Sequence, residues 1–274
     1  MKKLLAALLL IVLCFPASAL GDQVLQVSIC PFVRADAILL TLGDCALLVD
    51  TGEATQADTL AQLLEEQGVS TLNMVINTHP HHDHLGGLPA LLEKVTVEQF
   101  VTGFSETQTG KGVVQKEAIA ALKKNDVPIL TVDDGDVLAV GDIRITVMRR
   151  NDLTTINDRS LMLMVEYGTC RMLLTADVTS KAQKLFVQDG YDLKADIMKA
   201  PHHGREKMYA SFLTGVSPDF VFITNNSSDS KDVRSQLSKK SIPYQITREG
   251  FIYLRCNGQS WERIIPIEKI SDSV

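Results

Sequence analysis

The sequence predicts an α/β protein built from two similar halves, and three observations support this fold class. Apolar segments with strand spacing alternate along the chain with segments that carry an apolar face at helical spacing. A hairpin pattern at residues 37–50 recurs at residues 161–175, where LLTADV echoes the earlier LLVDTG. A strand followed by a histidine-containing loop then ends each half. Two such sheet-and-helix halves would bring both histidine loops to one edge between the sheets.

The first 19 residues differ in character from the rest of the chain. Lys2 and Lys3 precede an apolar run at residues 4–15, and Ala17-Ser18-Ala19 supplies the small residues of a cleavage site. This pattern is typical of a secretory signal peptide, and an uncleaved N-terminal anchor is the alternative. We therefore expect a secreted protein in which residues 20–274 form a single domain without a membrane-spanning segment.

The composition, with 45% hydrophobic and 22% charged residues among 274, is that of a globular protein. The formal net charge is −6. Cleavage would remove two of the 27 basic residues, which leaves 25 against 33 acidic residues and a charge of −8. Non-specific affinity for nucleic acid comes mainly from Lys and Arg on phosphates. The charge therefore argues against a general nucleic-acid-binding protein.

The elements of the first half follow from apolar periodicity and turn residues. Strands are predicted at residues 24–29, 37–42 and 45–50, and Gly43-Asp44 forms the hairpin turn between the last two. A helix at residues 57–64 and a strand at residues 72–77 lead into the first histidine loop. A helix at residues 114–124 and a strand at residues 143–148 follow.

The second half repeats this order. Strands at residues 161–167 and 170–175 flank the turn Gly168-Thr169, and a helix at residues 178–188 and a strand at residues 196–200 follow. A helix around Val233 and Leu237, a strand at residues 244–247 and a hairpin turning on Asn257-Gly258 complete the chain.

Four cysteines would remain after cleavage: Cys30, Cys45, Cys170 and Cys256. In an exported protein they could form two disulfides in any of three connectivities. None has a CxxC or Cys/His spacing, so we predict a structural role, with all four resistant to alkylation before reduction.

The stretch VINTHPHHDHLGGL at residues 75–88 holds four of the six histidines, and three of them belong to an HxHxDH motif. Imidazole and carboxylate are ligands that zinc prefers. The spacing lets His79 and His81 reach one ion, while Asp83 and His84 on the next half-turn can face a second. The alternative is a solvated histidine-rich turn. The position of the motif between a strand and two glycines favours a metal site.

These motifs, with LLTAD and a late PHHG, resemble the metallo-β-lactamase fold. The runs SLMLMVEYGTCRMLLTAD, ADIMKAPHHG and TREGFIYL are most similar to the hydrolase domain of ComEC-type DNA-uptake proteins and their free-standing secreted relatives. The resemblance covers nearly the whole chain after residue 19. It implies an αββα sandwich with a dinuclear metal site at one edge.

The resemblance also implies a ligand set. His79 and His81 would bind one ion, Asp83 and His84 the other, and Asp177 would bridge both. Of the next pair, His203 is the expected ligand of the second ion, and His202 the donor to the reacting oxygen. Two alternatives stay open: Asp177 could be a helix N-cap, and Asp50 an ordinary turn residue instead of the group that orients a ligand histidine.

Two departures from the family pattern affect the expected metal and substrate. No histidine lies between His84 and His202, and the ComEC-type Asn-x-x-Ser is matched by Asn157 and Ser160. Asn157 is therefore a possible ligand, with Ser160 behind it. An oxygen-richer site suits Mn²⁺ as well as Zn²⁺. PFVRAD, at residues 31–36, replaces the usual glycine-rich turn, so substrate contacts can differ.

The implied function is hydrolysis by a hydroxide generated between two divalent ions. Asp83 or Asp177 would orient the nucleophile and take its proton, and His202 would stabilise the developing charge. A small-molecule or oligonucleotide phosphodiester is the preferred substrate. The alternatives are a lactam, a lactone or a cell-surface phosphorylcholine ester, or a non-catalytic binding protein that retains the fold. Nothing in the sequence indicates a protein partner.

Overall fold

The computed structural model describes residues 23–104 and 112–264. The predicted signal peptide at residues 1–19 lies outside these described residues. Within them, no helix has the length and apolar character needed to cross a membrane.

The described chain forms strands and helices that alternate much as the sequence predicts. The strands are β1 (Leu25–Ile29), β2 (Ile38–Leu42), β3 (Cys45–Val49), β4 (Thr71–Leu72), β5 (Met74–Asn77), β6 (Thr96–Val97), β7 (Phe100–Thr102), β8 (Ile129–Thr131), β9 (Val137–Val140), β10 (Ile143–Met148), β11 (Met162–Tyr167), β12 (Cys170–Leu174), β13 (Ile197–Lys199), β14 (Phe220–Ile223), β15 (Tyr244–Ile246), β16 (Ile252–Cys256) and β17 (Trp261–Ile264). The helices are α1 (Ala57–Glu66), α2 (His82–Leu85), α3 (Leu88–Leu91), α4 (Val113–Lys124), α5 (Ser180–Gln188), α6 (Ala210–Val216) and α7 (Lys231–Ser238).

Two large sheets carry the fold. The first has the strand order β17-β16-β1-β2-β3-β5-β7-β8, and the second has the order β15-β14-β13-β12-β11-β10-β9. In the first sheet the hairpin strand β3 pairs in parallel with β5, and in the second the hairpin strand β12 pairs in parallel with β13. The two histidine loops follow β5 and β13. The predicted repeat of hairpin, helix, strand and histidine loop is therefore present.

Alternating side chains divide each hairpin strand between two cores. In β3, Leu47 and Val49 pack between the sheets, whereas Leu48 packs under the helices on the outer face. Helices α1, α3 and α4 cover the outer face of the first sheet, and α5, α6 and α7 cover the outer face of the second. The layers are thus helix, sheet, sheet and helix, and the αββα fold class is confirmed.

The last two strands join the first sheet, not the second. Strand β16 pairs antiparallel with β1, with Leu25 opposite Cys256, and β17 pairs with β16 beyond the predicted Asn257-Gly258 turn. The two sheets are therefore not separate segments of the chain. Sequence periodicity identifies the hairpin itself but carries no information about which sheet edge it joins.

The first histidine loop is locked against the loop that follows β3. Thr51 N–H donates to the His84 carbonyl over 2.8 Å, and Gly87 N–H donates to the Gly52 carbonyl over 3.0 Å. A Cβ added at Gly87 would lie 2.2 Å from the Thr51 carbonyl oxygen, so this close approach requires glycine. The second glycine of the HLGG sequence is thus explained by packing.

One disulfide joins the two sheets, between Cys170 at the start of β12 and Cys256 at the end of β16. Cys30 and Cys45 are free. The prediction that all four cysteines are paired is therefore wrong for this second pair. Cys30 is buried on the helix-covered side of the first sheet, while Cys45 packs against the core between the sheets.

The cysteines should react with an alkylating reagent in a defined order. Partly exposed Cys45 is labelled first in the native protein, but slowly, because burial and the nearby Asp44 carboxylate raise the pKa of its thiol. Buried Cys30 is labelled only after unfolding, and two further sites appear only after reduction. Mass spectrometry after each step checks this order. Two labels in the native protein without reductant would contradict the assignment of Cys30 as inaccessible.

Candidate metal centre

Several polar loops meet at one edge of the two sheets. His79, His81, Asp83 and His84 follow β5, and Asp177 follows β12. His202 and His203 follow β13. Asp50 follows β3, and Asp36 precedes β2. Because β3 and β5 are parallel, and β12 and β13 are parallel, the carboxyl ends of these four strands lie on corresponding sides of their sheets.

The backbone at this edge is strained. Asp50, Ala176, His202 and His203 have φ of 60°, 46°, 48° and 53°, in the left-handed region that non-glycine residues rarely adopt. Such conformations persist only where surrounding contacts enforce them, and they concentrate at functional sites. In this backbone conformation the adjacent residues His202 and His203 contact different oxygens of Asp177.

Asp177 divides the site into two halves. Its Oδ1 lies 3.4 Å from Nε2 of both His84 and His203. Its Oδ2 lies 3.8 Å from Nε2 of both His79 and His202. Asp177 is 1% exposed, and helix α5 is capped by Thr179, so Asp177 is not the helix N-cap.

The half facing Oδ1 has the dimensions of a four-ligand metal site. Its ligand atoms are Asp83 Oδ2, His84 Nε2, Asp177 Oδ1 and His203 Nε2. The two Nε2 atoms are 3.3 Å apart, and Asp83 Oδ2 lies 3.5 Å from His203 Nε2 and 3.9 Å from His84 Nε2. Ligands held at about 2.0–2.2 Å from a tetrahedral zinc ion would lie about 3.3–3.6 Å apart.

The half facing Oδ2 is poorer in ligands. His79 Nε2 and His81 Nδ1 are 3.1 Å apart, close enough to share one ion. Asn157 Nδ2 lies 3.4 Å from His202 Nε2, and the buried Asn157 Oδ1 has no hydrogen-bond partner. The amide of Asn157 is therefore present where the sequence lacks a third histidine.

Asp50 orients His84 directly and His79 through Thr78, at the Nδ1 edges of the two rings. Its Oδ2 lies 2.7 Å from Nδ1 of His84 and accepts a 2.7 Å hydrogen bond from the Thr78 hydroxyl, which contacts Nδ1 of His79 at 3.1 Å. Donation from Nδ1–H in both rings leaves their Nε2 atoms free for a metal ion. Asp50 is itself held by the Thr78 N–H and the Asn77 side chain.

Asp36 belongs to this cluster and was not recognised in the sequence. It could count as a ligand by proximity to His84, Asp177 and His203. However, its oxygens lie 3.3 Å from Nδ1 of His203 and 3.7 Å from Nδ1 of His84, on the ring edges away from Asp177. Its position, 2.8 Å from the buried Lys199 ammonium, is that of a supporting group. Nothing in the PFVRAD motif distinguishes this aspartate from a surface turn residue.

The charges of the two halves differ. Burial lowers the pKa of His79 well below its ordinary value, and burial also lowers the pKa of His81 and His202, so these rings are neutral at pH 7. Burial also tends to lower the pKa of His84 and His203, but the nearby carboxylates raise it by more. The pKa of His84 is well above its ordinary value, and that of His203 is raised to about 10.

Ser160 and the polar residues around the two histidine loops are less closely involved. Ser160 is fully buried, and its hydroxyl has no hydrogen-bond partner in the described structure. Arg205 and Lys207 are exposed beyond the second histidine loop. The exposed His82 points toward Glu53, 3.5 Å away, and takes no part in either half.

The donor set fits divalent cations. Asp177 Oδ1 and Asn157 Oδ1 are both buried without a hydrogen-bond donor, which is unfavourable unless another positive group satisfies them. The Nε2 atoms of His84 and His203 converge to 3.3 Å, so one cation placed between them would replace the protons that these atoms hold. Imidazoles and carboxylates arranged in this way suit zinc, and the amide oxygen suits harder ions.

Comparisons with known proteins agree with this geometry. The family model described as the metallo-beta-lactamase superfamily matches residues 31–222. The chain is similar to ComE operon protein 3 of Bacillus subtilis (strain 168), with 30% identity over 149 residues. That match covers 53% of this chain and 19% of the relative, so the chain spans only a fraction of that protein.

Solved structures share the fold at low sequence identity. The metallo-beta-lactamase fold protein YhfI from Bacillus subtilis superposes with a TM-score of 0.59 at 15% identity, covering 86% of this chain and all of that one. Igni18, a metallo hydrolase from Ignicoccus hospitalis, superposes with a TM-score of 0.54 at 12% identity, covering 83% and 98% of the two chains.

Proposed function

The chain belongs to the metallo-beta-lactamase superfamily, and we propose that within it this protein is a metal-dependent phosphodiesterase with two ions divided by Asp177. The single observation that carries the proposal is that the two oxygens of one buried carboxylate face separate sets of histidine nitrogens. His79 and His81, with Asn157, would hold one ion. Asp83, His84 and His203 would hold the other.

The residues around the ions have separable roles. Ions held there would supply a hydroxide near neutral pH and offset charge on the reacting group. Asp83 is ionised at neutral pH, because contacts with His203 and His84 outweigh burial and hold its pKa at about 2. Its partly exposed carboxylate can orient the nucleophile. The side chain of His202 is 22% exposed, and as the Nε2–H tautomer it would donate to the oxygen that gains negative charge.

A phosphodiester suits this arrangement for a chemical reason. In-line displacement at phosphorus places charge on both the entering and the leaving oxygen, and two adjacent ions can stabilise both. The resemblance of PHHG and Asn157-x-x-Ser160 to the DNA-uptake branch supports the same choice. Zinc and manganese are both candidates, since the half with Asn157 is richer in oxygen.

Charges near the second histidine loop favour a small substrate. Arg34 forms an ion pair with Asp229, and Arg205 contributes to the electrostatic environment of the same carboxylate. Arg34 N–H donates to the Thr224 carbonyl, and the Thr224 hydroxyl contacts Nδ1 of His203, so this pair lies close to the site. Asp229 neutralises part of the positive charge. We therefore propose small or locally held diesters, and not duplex DNA, as substrates.

We also propose that the protein acts outside the cytoplasm. The signal-peptide pattern at residues 1–19 motivates this location. The Cys170–Cys256 disulfide supports it, since such bonds persist mainly in oxidising compartments.

A substrate panel tests the reaction. We expect purified protein supplied with Zn²⁺ or Mn²⁺ to hydrolyse bis(p-nitrophenyl) phosphate, and to act on a short single-stranded oligonucleotide faster than on duplex DNA. A chromogenic cephalosporin, a lactone and p-nitrophenyl phosphorylcholine are assayed in parallel. Turnover of one of these alternatives alone would overturn the phosphodiester assignment, and metal binding without any turnover would indicate a binding protein.

Metal binding should release protons at neutral pH. The raised pKa values of His84 and His203 mean that both rings are protonated in the metal-free protein, so an ion bound by their Nε2 atoms must displace those protons. Apparent affinity should rise with pH between 6 and 9 and level off near the pKa of about 10 of His203. Calorimetric titration in buffers of different ionisation enthalpy measures the proton count. Binding that is independent of both buffer and pH would contradict this account.

A further inference from the structure

Lys199, the last residue of β13, is a lysine with no access to solvent. It is 1% exposed, and lysines are almost never fully buried unless they are paired. Its Nζ lies 2.8 Å from Asp36 Oδ2 and donates to the carbonyl oxygens of Ala176 and Ala200 over 3.0 and 3.3 Å. The three donors of the ammonium thus have three acceptors.

These acceptors lie on three different loops of the metal centre. Asp36 comes from the loop between β1 and β2. Ala176 immediately precedes Asp177, and Ala200 immediately precedes the Pro201-His202-His203 turn. The Ala176 carbonyl also accepts from the backbone N–H of His202 over 3.0 Å. One ammonium therefore fixes the backbone on which the shared carboxylate and the histidine pair are mounted.

Asp36 extends this contact to the ligands themselves. One oxygen faces Lys199, and the two oxygens lie 3.3 and 3.7 Å from Nδ1 of His203 and His84 respectively. Lys199 Nζ is also 3.9 Å from Asp177 Oδ1. Asp36, Asp50 and Asp177 are each 1% exposed, and Lys199 Nζ contacts two of these three carboxylates.

Resting on the proposed metal centre, we propose that Lys199 and Asp36 form a buried ion pair that positions the centre containing His84 and His203. Neither residue is assigned contact with substrate. The pair aligns three loops, places a carboxylate beside the Nδ1 edge of His203, which the Thr224 hydroxyl contacts at 2.9 Å, and keeps the Asp177 carboxylate aimed between the two halves. Supporting groups of this kind typically change metal affinity by about 10- to 100-fold when removed.

A double-mutant cycle separates positioning from simple stability. Lys199→Met and Asp36→Asn each leave one buried charge unpaired and should lower the unfolding midpoint, whereas the double variant restores much of it. Zinc affinity, measured by competition with a chelator, should nevertheless stay at least about tenfold weaker in all three variants. The exposed Lys194→Met, which removes a lysine that donates to the Ser217 carbonyl, is the matched control and should bind zinc normally.

Two results would overturn the proposal. One is recovery of wild-type zinc affinity together with stability in the double variant, which would show that the pair only supports folding. The other is an unchanged affinity and an unchanged Co²⁺ visible spectrum in Asp36→Asn, the mildest variant, which decides the matter if the others fail to fold. If the wild-type protein hydrolyses the diester and the variants keep its zinc affinity, only this inference is overturned. A wild-type protein that binds no metal would overturn the proposed function as well.

Discussion

Asp177→Asn should abolish activity and weaken the binding of both metal ions. The carboxylate is buried between the two halves, with one oxygen 3.4 Å from the His84 and His203 nitrogens and the other 3.8 Å from those of His79 and His202. Asparagine keeps the shape but removes the negative charge that both ions would share. We expect phosphodiester turnover to fall by at least about 10³-fold, the scale of losing a group that acts in the transition state.

Elemental analysis and turnover assays on the same preparation check this expectation. Asp219→Asn, a change on the surface before β14, serves as the control and should keep wild-type metal content and rate. Full occupancy by two ions in Asp177→Asn would show that this carboxylate does not bridge the halves.

Two histidines of the first motif should respond in opposite ways to substitution. His84 is fully buried and contacts Asp50, Asp177 and His203, whereas the side chain of His82 is 68% exposed. His84→Ala removes a ligand and leaves Asp50 without its charged partner, so we expect loss of one ion and a fall in turnover of about 10²–10³-fold. His82→Ala should change turnover by less than about twofold.

The pair is an internally matched test, because both substitutions remove an imidazole from the same short helix, α2. Their rates with the nitrophenyl diester are compared at saturating Zn²⁺ and at saturating Mn²⁺. If His82→Ala proved as harmful as His84→Ala, the orientation of the motif in the structure would be wrong.

Much of the fold could be predicted from periodicity and turn residues. The β2–β3 hairpin, the following helix and the strand before the first histidine loop were all located, because alternation and the Gly43-Asp44 turn are local signals. Strands β13 and β14 are both buried at every position and show no alternation; β13 was located because it precedes the PHHG motif, whereas β14 has no such motif and was missed. The return of β16 to pair with β1 depends on contacts more than 200 residues apart in sequence.

The candidate site was predicted less completely than the fold. The histidines proposed as ligands lie in compact motifs, so their types and spacing mark them directly as candidates. Asp36 and Lys199 carry no such signal. An aspartate in a turn and a lysine at a strand end are ordinarily solvated, and their burial and pairing become visible only once the two sheets are packed together. The same holds for the cysteines, since the Cys170–Cys256 pair joins strands of different sheets.

The most direct test of the two-ion centre is a crystal structure of the protein grown with Zn²⁺ or Mn²⁺, with anomalous data collected at the edge of that metal. We expect two anomalous peaks on either side of Asp177. One would be bound by Asp83, His84 and His203, and the other by His79 and His81 with Asn157 nearby. A single peak bound by Asp36, or no peak between these histidines at saturating metal, would contradict the account.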